Sequence, residues 1–236
     1  MPIAPAAVET WVFDLDNTLY PAGSSLFPQI DRRMKLFIAD LLGLSIEDAH
    51  VLQKDYYRTY GTTLRGLMEV HGVQPGPFMD FVHDIDHSVL SPCPRLDAAL
   101  AALPGRKLIH TNGSRRHAEQ VLKQLGLTRH FEAIFDIEAA GFVPKPQAEG
   151  YHALLARHAV DPTRALMVED IHRNLRPAAA LGMTTVWVRE DDHPDGPCVP
   201  QDESDLSHVD HVTDDLAGWL AQAASPAGIV RCGRLG

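Results

Sequence analysis

Short apolar runs that alternate with helical patterns dominate the chain. Five runs, rich in β-branched or aromatic residues, have the length of buried strands. Helical periodicity follows at about 115–126, 147–158 and 173–182, and Pro177 indicates that the last stretch begins with a turn. Such alternation predicts an α/β fold with a Rossmann-like parallel sheet and right-handed crossovers. The predicted strands are 10–13, 107–110, 133–137, 165–168 and 184–188.

The interval from residue 20 to residue 91 differs because its periodicity is helical and no strand is evident. Glycines at 43, 61 and 72 and prolines at 75 and 77 divide it into pieces. We therefore predict a helical cap domain, 20–91, inserted into a core domain formed by 1–19 and 92–236. Near the other end we expect a polar loop over 189–205, a short strand and closing helix over 211–220, and a loosely held tail over 225–236.

Polar residues follow four of the predicted strands. The carboxyl ends of parallel strands lie at one edge of a sheet, where ligands bind, so we expect these side chains to converge on one site. Each alone could be a turn former, a helix cap or an exposed loop residue. Their order and placement together favour a functional site. The residues are Asp14 and Asp16 after the first strand, Thr111 and Asn112 after the second, Lys145 beyond the third, and Glu169 and Asp170 after the fourth.

These residue types suit phosphoryl transfer. Carboxylates from two strand ends are hard oxygen ligands for Mg²⁺, which would offset their repulsion of a phosphate dianion. One carboxylate can attack phosphorus and form an aspartyl-phosphate. A second acid two residues later can protonate the leaving alkoxide and then deprotonate the attacking water. The Thr111 hydroxyl with nearby backbone N–H groups can hold phosphoryl oxygens, and Lys145 can supply positive charge.

Charge and composition narrow the setting. The formal net charge of −10 disfavours nucleic acid and anionic membranes as partners. No apolar run approaches the length of a bilayer span, and the N-terminus lacks the pattern of a secretory signal. The three cysteines are widely spaced and not in metal-ligand pairs. We expect a cytoplasmic protein; the sequence does not indicate an oligomeric state.

The four polar segments resemble the ordered motifs of the haloacid dehalogenase-like phosphohydrolase superfamily, as "DLDNTLY", "TNGS", the lysine of "VPKPQ" and "MVED". The resemblance covers nearly the whole chain. It implies Asp14 as the nucleophile and Asp16 as the acid/base, with Mg²⁺ held by Asp14, Asp170 and the backbone carbonyl of Asp16. It also implies that Glu169 lies beside the metal and that Asn174 supports the metal shell.

Two details sharpen the resemblance. Dehalogenases of this superfamily share the first aspartate but lack the second, so Asp16 favours phosphoryl chemistry. The segments "DYYRTYGTTLRGLMEVHGV" and "FVHDIDHSVL" resemble the pyrimidine 5′-nucleotidase group, which implies UMP and CMP as substrates. From the residues alone, Tyr57, Tyr60 and Arg65 could contact a base and ribose, although tyrosines on one helix are more often packing residues.

The sequence thus predicts a Mg²⁺-dependent phosphomonoesterase that acts on a small phosphorylated metabolite, a pyrimidine nucleoside 5′-monophosphate. One alternative is a phosphatase for a sugar phosphate or another small phosphate ester, or a phosphomutase. Another is a non-enzymatic binding protein on the same fold. Loss of Asp14, Asp16 or Lys145 would indicate the binding protein, and all three are present.

Overall fold

A six-stranded parallel sheet forms the centre of the computed structural model, which describes residues 8–189 and 203–225. The strand order is β3-β2-β1-β4-β5-β6. β1 lies between β2 and β4, with Phe13 opposite Ile109 on one side and Val168 on the other. The predicted Rossmann-like sheet is confirmed. The strands are β1 (Thr10–Phe13), β2 (Arg106–His110), β3 (Ala133–Phe135), β4 (Ala165–Glu169), β5 (Thr184–Val188) and β6 (His211–Thr213).

Nine helices accompany the sheet within the described ranges. They are α1 (Phe27–Leu42), α2 (Ile46–Tyr60), α3 (Thr63–His71), α4 (Pro75–Val82), α5 (Pro94–Ala102), α6 (Arg115–Leu125), α7 (Ala148–His158), α8 (Leu175–Ala180) and α9 (Leu216–Ala223). None of them is long and apolar enough to cross a membrane.

Both faces of the sheet are covered, which explains why its strands are continuously apolar. Successive side chains of a strand point to opposite faces. Accordingly, Trp11 and Phe13 belong to a core that includes residues of α5, α6 and α9. Val12, between them, belongs to a second core that includes residues of α7 and α8. The sheet edge that carries the polar residues is therefore supported from both sides.

The four helices α1 to α4 lie between β1 and β2 and have an apolar core of their own. Ile30, Ile38, Tyr56, Leu67 and Phe78 are among its buried members. The glycines at 43, 61 and 72 follow α1, α2 and α3 and have positive φ, as helix-terminating glycines commonly do. These helices fall within the interval that the sequence predicts as a cap.

The structure departs from the predicted elements at helix α5 and at the third strand. Helix α5 was not predicted, although Leu96, Ala99 and Leu100 are buried at helical spacing. The third strand is shorter than predicted because it ends before Asp136, whose carboxylate accepts bonds from the N–H groups of residues 115 and 139. The stretch around 173–182 begins with a 3-10 turn before α8, as Pro177 indicates. Most of the predicted loop at 189–205, and the tail beyond 225, lie outside the described residues.

Candidate active site

The predicted site residues converge where the sheet topology reverses. The chain runs outward from β1 to β3 on one side and from β4 to β6 on the other, which makes the gap between β1 and β4 the topological switch point. A cavity of about 450 Å³ opens there and extends into the cap. Its lining includes every residue that the sequence assigns to catalysis, phosphate or metal: Asp14, Asp16, Thr111, Asn112, Lys145, Glu169, Asp170 and Asn174.

Lys145 links the ends of three strands, β1, β2 and β4. Its Nζ lies 2.6 Å from Asp14 Oδ1, 2.6 Å from Glu169 Oε2 and 2.9 Å from the carbonyl oxygen of His110. The ammonium thereby uses all three of its donors. Burial alone would lower the pKa of Lys145, but the two carboxylates raise it above its ordinary value, so the lysine stays charged.

The acidic side chains form a site that fits a divalent cation. Among the described residues, Asp14, Glu169 and Asp170 offer oxygens that all lie within 4.8 Å of one another. Burial and the neighbouring carboxylate of Glu169 raise the pKa of Asp14 to about 7 and that of Asp170 well above its ordinary value. Two buried acids, Asp14 and Glu169, and the half-buried Asp170 face one lysine. Their all-oxygen donor set suits Mg²⁺, which would compensate the surplus negative charge.

Glu169 and Asn174 act together at the edge of this cluster. Glu169 gives one oxygen to Lys145, while its other oxygen lies 3.2 Å from Asn174 Nδ2 and 3.3 Å from the backbone nitrogen of residue 171. The bond from its side-chain amide shows that Asn174 orients Glu169. Thr18 Oγ1 lies between the other two acids, 3.1 Å from Asp14 Oδ2 and 3.3 Å from Asp170 Oδ1. That the backbone carbonyl of Asp16 binds metal stays a prediction.

Asp16 has a different environment from Asp14. Its Oδ1 accepts a 2.5 Å bond from the Tyr20 hydroxyl and lies 2.7 Å from His117 Nε2. Burial alone would raise the pKa of Asp16, but the interactions with His117 and Tyr20 lower it to about 2. Both contacts involve the same oxygen, which leaves Oδ2 free of them. The chain turns away immediately afterwards at Asn17, whose φ of 60° is one that asparagine tolerates.

Three histidines form a cluster in which His117 contacts Asp16 and the other two contact His117, and the sequence predicted a role for none of them. The imidazole of His83 stacks on that of His117 with centroids 4.4 Å apart, and its Nδ1 lies 2.9 Å from Ser114 Oγ. His87 Nε2 lies 3.2 Å from His117 Nδ1. Burial and the neighbouring His117 lower the pKa of His83 to about 3, which keeps it neutral. The sequence contained one indication that His117 is buried, because it lies on the apolar face of the predicted helix with Val121.

The loop after β2 is held in place by its own polar atoms. Thr111 Oγ1 accepts a 2.9 Å bond from the backbone N–H of Gly113. A Cβ at Gly113 would lie 3.2 Å from both Thr111 Oγ1 and the His117 ring, which explains the glycine. The Asn112 side chain bonds both backbone groups of Lys145, at 2.9 and 3.4 Å. Because the side-chain amide of Asn112 is bonded to the backbone of Lys145, Asn112 would contact a phosphate through its own backbone N–H.

Comparison with known proteins agrees with this arrangement. Residues 8–182, more than half of the chain, match the family model described as haloacid dehalogenase-like hydrolase. The chain belongs to that family. The resemblance seen in the sequence is thereby confirmed at the level of the family, and the protein is a hydrolase.

A yeast protein is one relative of this haloacid dehalogenase-like hydrolase. Phosphate metabolism protein 8 of Saccharomyces cerevisiae is 26% identical over 202 residues, which cover 78% of this chain and 62% of that protein. The chain thus spans less than two thirds of that relative.

Two solved structures share the fold. The crystal structure of an L-2-haloacid dehalogenase has a TM-score of 0.59 and 17% identity, and the match covers 91% of this chain and 99% of that one. A HAD family hydrolase from Deinococcus radiodurans R1, with bound phosphate and sodium, has a TM-score of 0.55 and 22% identity, with 94% and 96% covered. At these identities the likeness establishes the fold.

The three cap residues proposed for substrate contact lie in different places in this hydrolase. Tyr57 lines the cavity, and the guanidinium of Arg173 lies 4.6 Å from the centroid of its ring. Tyr60 packs edge-to-face against Tyr56, with ring centroids 5.7 Å apart. Arg65 pairs with Glu69 one turn along α3. Of the three, only Tyr57 lines the cavity, since neither Tyr60 nor Arg65 is among its lining residues.

Proposed function

We propose that this hydrolase is a Mg²⁺-dependent phosphomonoesterase that works through an aspartyl-phosphate on Asp14. The observation that carries the proposal is the contrast between Asp14 and Asp16, the two acids that follow β1. Asp14 lies in the acidic cluster against Lys145, as a nucleophile beside a metal requires. Asp16 lies on a separate network of donors, with Oδ2 free of the contacts to Tyr20 and His117, as an acid/base requires.

The reaction then has two balanced steps. Asp14 attacks phosphorus, the bond from phosphorus to the leaving oxygen breaks, and Asp16 gives its proton to that oxygen. Asp16 next takes a proton from water, whose oxygen attacks phosphorus, and the bond to Asp14 breaks to release phosphate. Lys145 and the loop of Thr111 stabilise negative charge on the phosphoryl oxygens. Mg²⁺, when bound, supplies charge compensation and orients the phosphate.

The low pKa of Asp16 in the free protein is compatible with this role. A phosphate placed beside its carboxyl group raises the affinity of that group for a proton by like-charge repulsion. Asp16 also distinguishes the proposed phosphomonoesterase from a dehalogenase, the activity named for one of the structural neighbours. A halide ion leaves without a proton, so a dehalogenase does not need a general acid at this position. The fold alone does not decide between the two chemistries.

For the substrate we propose pyrimidine nucleoside 5′-monophosphates, UMP and CMP. Support comes from the resemblance of the cap segments to the pyrimidine 5′-nucleotidase group and from the extension of the cavity from Asp14 to the cap residue Tyr57. The name of the yeast relative, which refers to phosphate metabolism, is in keeping with a phosphate ester.

Phosphate release from UMP, CMP, AMP, GMP, sugar phosphates and an aryl phosphate, measured with and without Mg²⁺, tests the proposal. We expect Mg²⁺-dependent release that is greatest for UMP or CMP and that falls at least about 10³-fold in Asp14→Asn, since the nucleophile is lost. Asp80→Asn, at an exposed position of the cap, is the matched control. Near wild-type turnover in Asp14→Asn would exclude the covalent mechanism.

A further inference from the structure

Gln53 is a buried polar residue on the cap side of the active-site cavity. It belongs to α2 and is 3% exposed. Its Nε2 lies 2.8 Å from Asp31 Oδ1. Its Oε1 has no hydrogen-bond partner within the part of the chain that the structure describes, although buried acceptors are nearly always paired.

Asp31 fixes the orientation of the Gln53 amide. A carboxylate only accepts hydrogen bonds, so the NH₂ group of Gln53 must face it and the carbonyl oxygen must face away. Asp31 is itself held at 2.9 Å by Lys35 and at 3.0 Å by Lys54, which lower its pKa against the effect of burial. The unpaired acceptor is therefore held in one orientation, on a buried side chain that belongs to the lining of the cavity.

The walls around Gln53 suit an aromatic ring. Tyr57, four residues along the same helix, shares its face and also lines the cavity. The remaining cap side chains of the lining form an apolar set and a polar set, and an aromatic ring can pack on the apolar set. The apolar set includes Phe27, Ile30, Met34, Leu64, Phe78 and Val82. The polar set is Asp31, Lys54, Arg58, Thr62, Thr63 and His83.

We propose that Gln53 Oε1 accepts a hydrogen bond from a ring N–H or an amino group of a heteroaromatic base carried by the leaving group. The inference rests on the proposed function and deepens it, because it assigns the far end of the cavity to the base. Uracil offers its N3–H there and cytosine its amino group. The phosphate remains at the strand ends, with Asp14 and Lys145.

The test combines a change in the protein with a change in the ligand. Gln53→Met keeps the length of the side chain and removes the acceptor. We expect kcat/KM for UMP and CMP to fall about 10-fold or more, with ribose 5-phosphate and 4-nitrophenyl phosphate changed by less than about twofold. Gln74→Met, at an exposed position of the cap, should leave all four values unchanged.

Methylation of the base at N3 supplies a second measurement on the wild-type protein. UMP methylated at N3 lacks the donor, and we expect its kcat/KM to be at least about 10-fold below that of UMP. In Gln53→Met the same methylation should have little further effect, because the partner is already absent. This arm does not depend on the folding of the variant.

The outcomes separate the two proposals. If no ester is hydrolysed in a manner that depends on Asp14, the proposed function fails. If hydrolysis depends on Asp14 but Gln53→Met affects all four esters alike or none, and N3 methylation costs wild type nothing, the role of Gln53 is overturned. The phosphomonoesterase proposal then stands.

Discussion

Asp14 and Asp16 are two residues apart, yet their carboxyl groups have opposite surroundings. Asp14 is buried beside the carboxyl groups of Glu169 and Asp170, and its pKa is raised to about 7. Asp16 is bonded by Tyr20 and His117, and its pKa is lowered to about 2. Environments that separate the pKa values of two neighbouring acids commonly mark a division of catalytic labour. In this protein the contrast between the two pKa values depends on one near partner, Tyr20, and on partners far away in the sequence. The distant partners are His117 for Asp16 and Glu169 for Asp14.

A residue-scale prediction concerns His117. Replacing it by phenylalanine keeps a ring against His83 but removes the donor that positions Asp16. If Asp16 protonates the leaving group, kcat for an alkyl phosphate should fall about 10- to 100-fold. Hydrolysis of 4-nitrophenyl phosphate should fall far less, because nitrophenolate leaves without a proton. Steady-state kinetics on the two esters measures the difference.

The control for this prediction is His130→Phe. His130 Nε2 lies 2.7 Å from Asp97 Oδ1, the same separation as that of His117 and Asp16. Asp16 lines the cavity, whereas Asp97 does not. His130→Phe should leave both activities unchanged. An equal loss on the two esters in His117→Phe would show that His117 serves the general integrity of the site and does not act through Asp16.

Residues that follow strands could be identified from the sequence because the signal is local. An apolar run that ends in an acid pair, a Thr-Asn-Gly segment or a Glu-Asp pair shows where each side chain will lie once the strands are parallel. His83 and Gln53 gave no comparable signal. Their environment is formed when the cap returns to the core and when α1 meets α2, and these contacts depend on packing between distant segments.

At the scale of elements, helices α2 and α6 each begin with a serine N-cap. Ser45 caps α2 by accepting a bond from the backbone N–H of Asp48, and Ser114 caps α6 by accepting one from that of His117. Replacement of either serine by alanine should lower the free energy of unfolding by about 1 kcal/mol, measured in urea. Only Ser114 also contacts His83, so only Ser114→Ala should reduce kcat as well. A similar loss of kcat in Ser45→Ala would contradict this reasoning.

Element bounds were predictable where capping and periodicity agree, and less so elsewhere. β1 and β5 have their predicted bounds, and α6 begins at its serine cap and ends before Gly126. Helix α5 was missed although Pro94 occupies its first turn, because its run of alanines has only a weak apolar face. Its place is determined by contact with α9, which is distant in sequence.

For the whole molecule, the surplus of buried acids predicts how stability responds to metal. Mg²⁺ that binds only the folded state should raise the melting temperature, by an amount equivalent to about 2.7 kcal/mol at 100 times its dissociation constant. Asp170→Asn should melt at or above wild type without metal, since one repelling carboxylate is gone, and should lose the response to Mg²⁺. Calorimetry measures both effects. Asp80→Asn should behave as wild type, and an undiminished Mg²⁺ response in Asp170→Asn would remove that residue from the metal site.

The contact between His83 and His117 has a consequence for exchanging the cap segment of this protein. His83 follows the last cap helix, yet its ring rests on the histidine that holds Asp16. A chimaera that exchanged the 20–91 segment for that of another member would change specificity and would also remove one support of the core machinery. The insertion is therefore not a freely interchangeable module, and swaps that retain "VHDIDH" at its downstream boundary should be tolerated best.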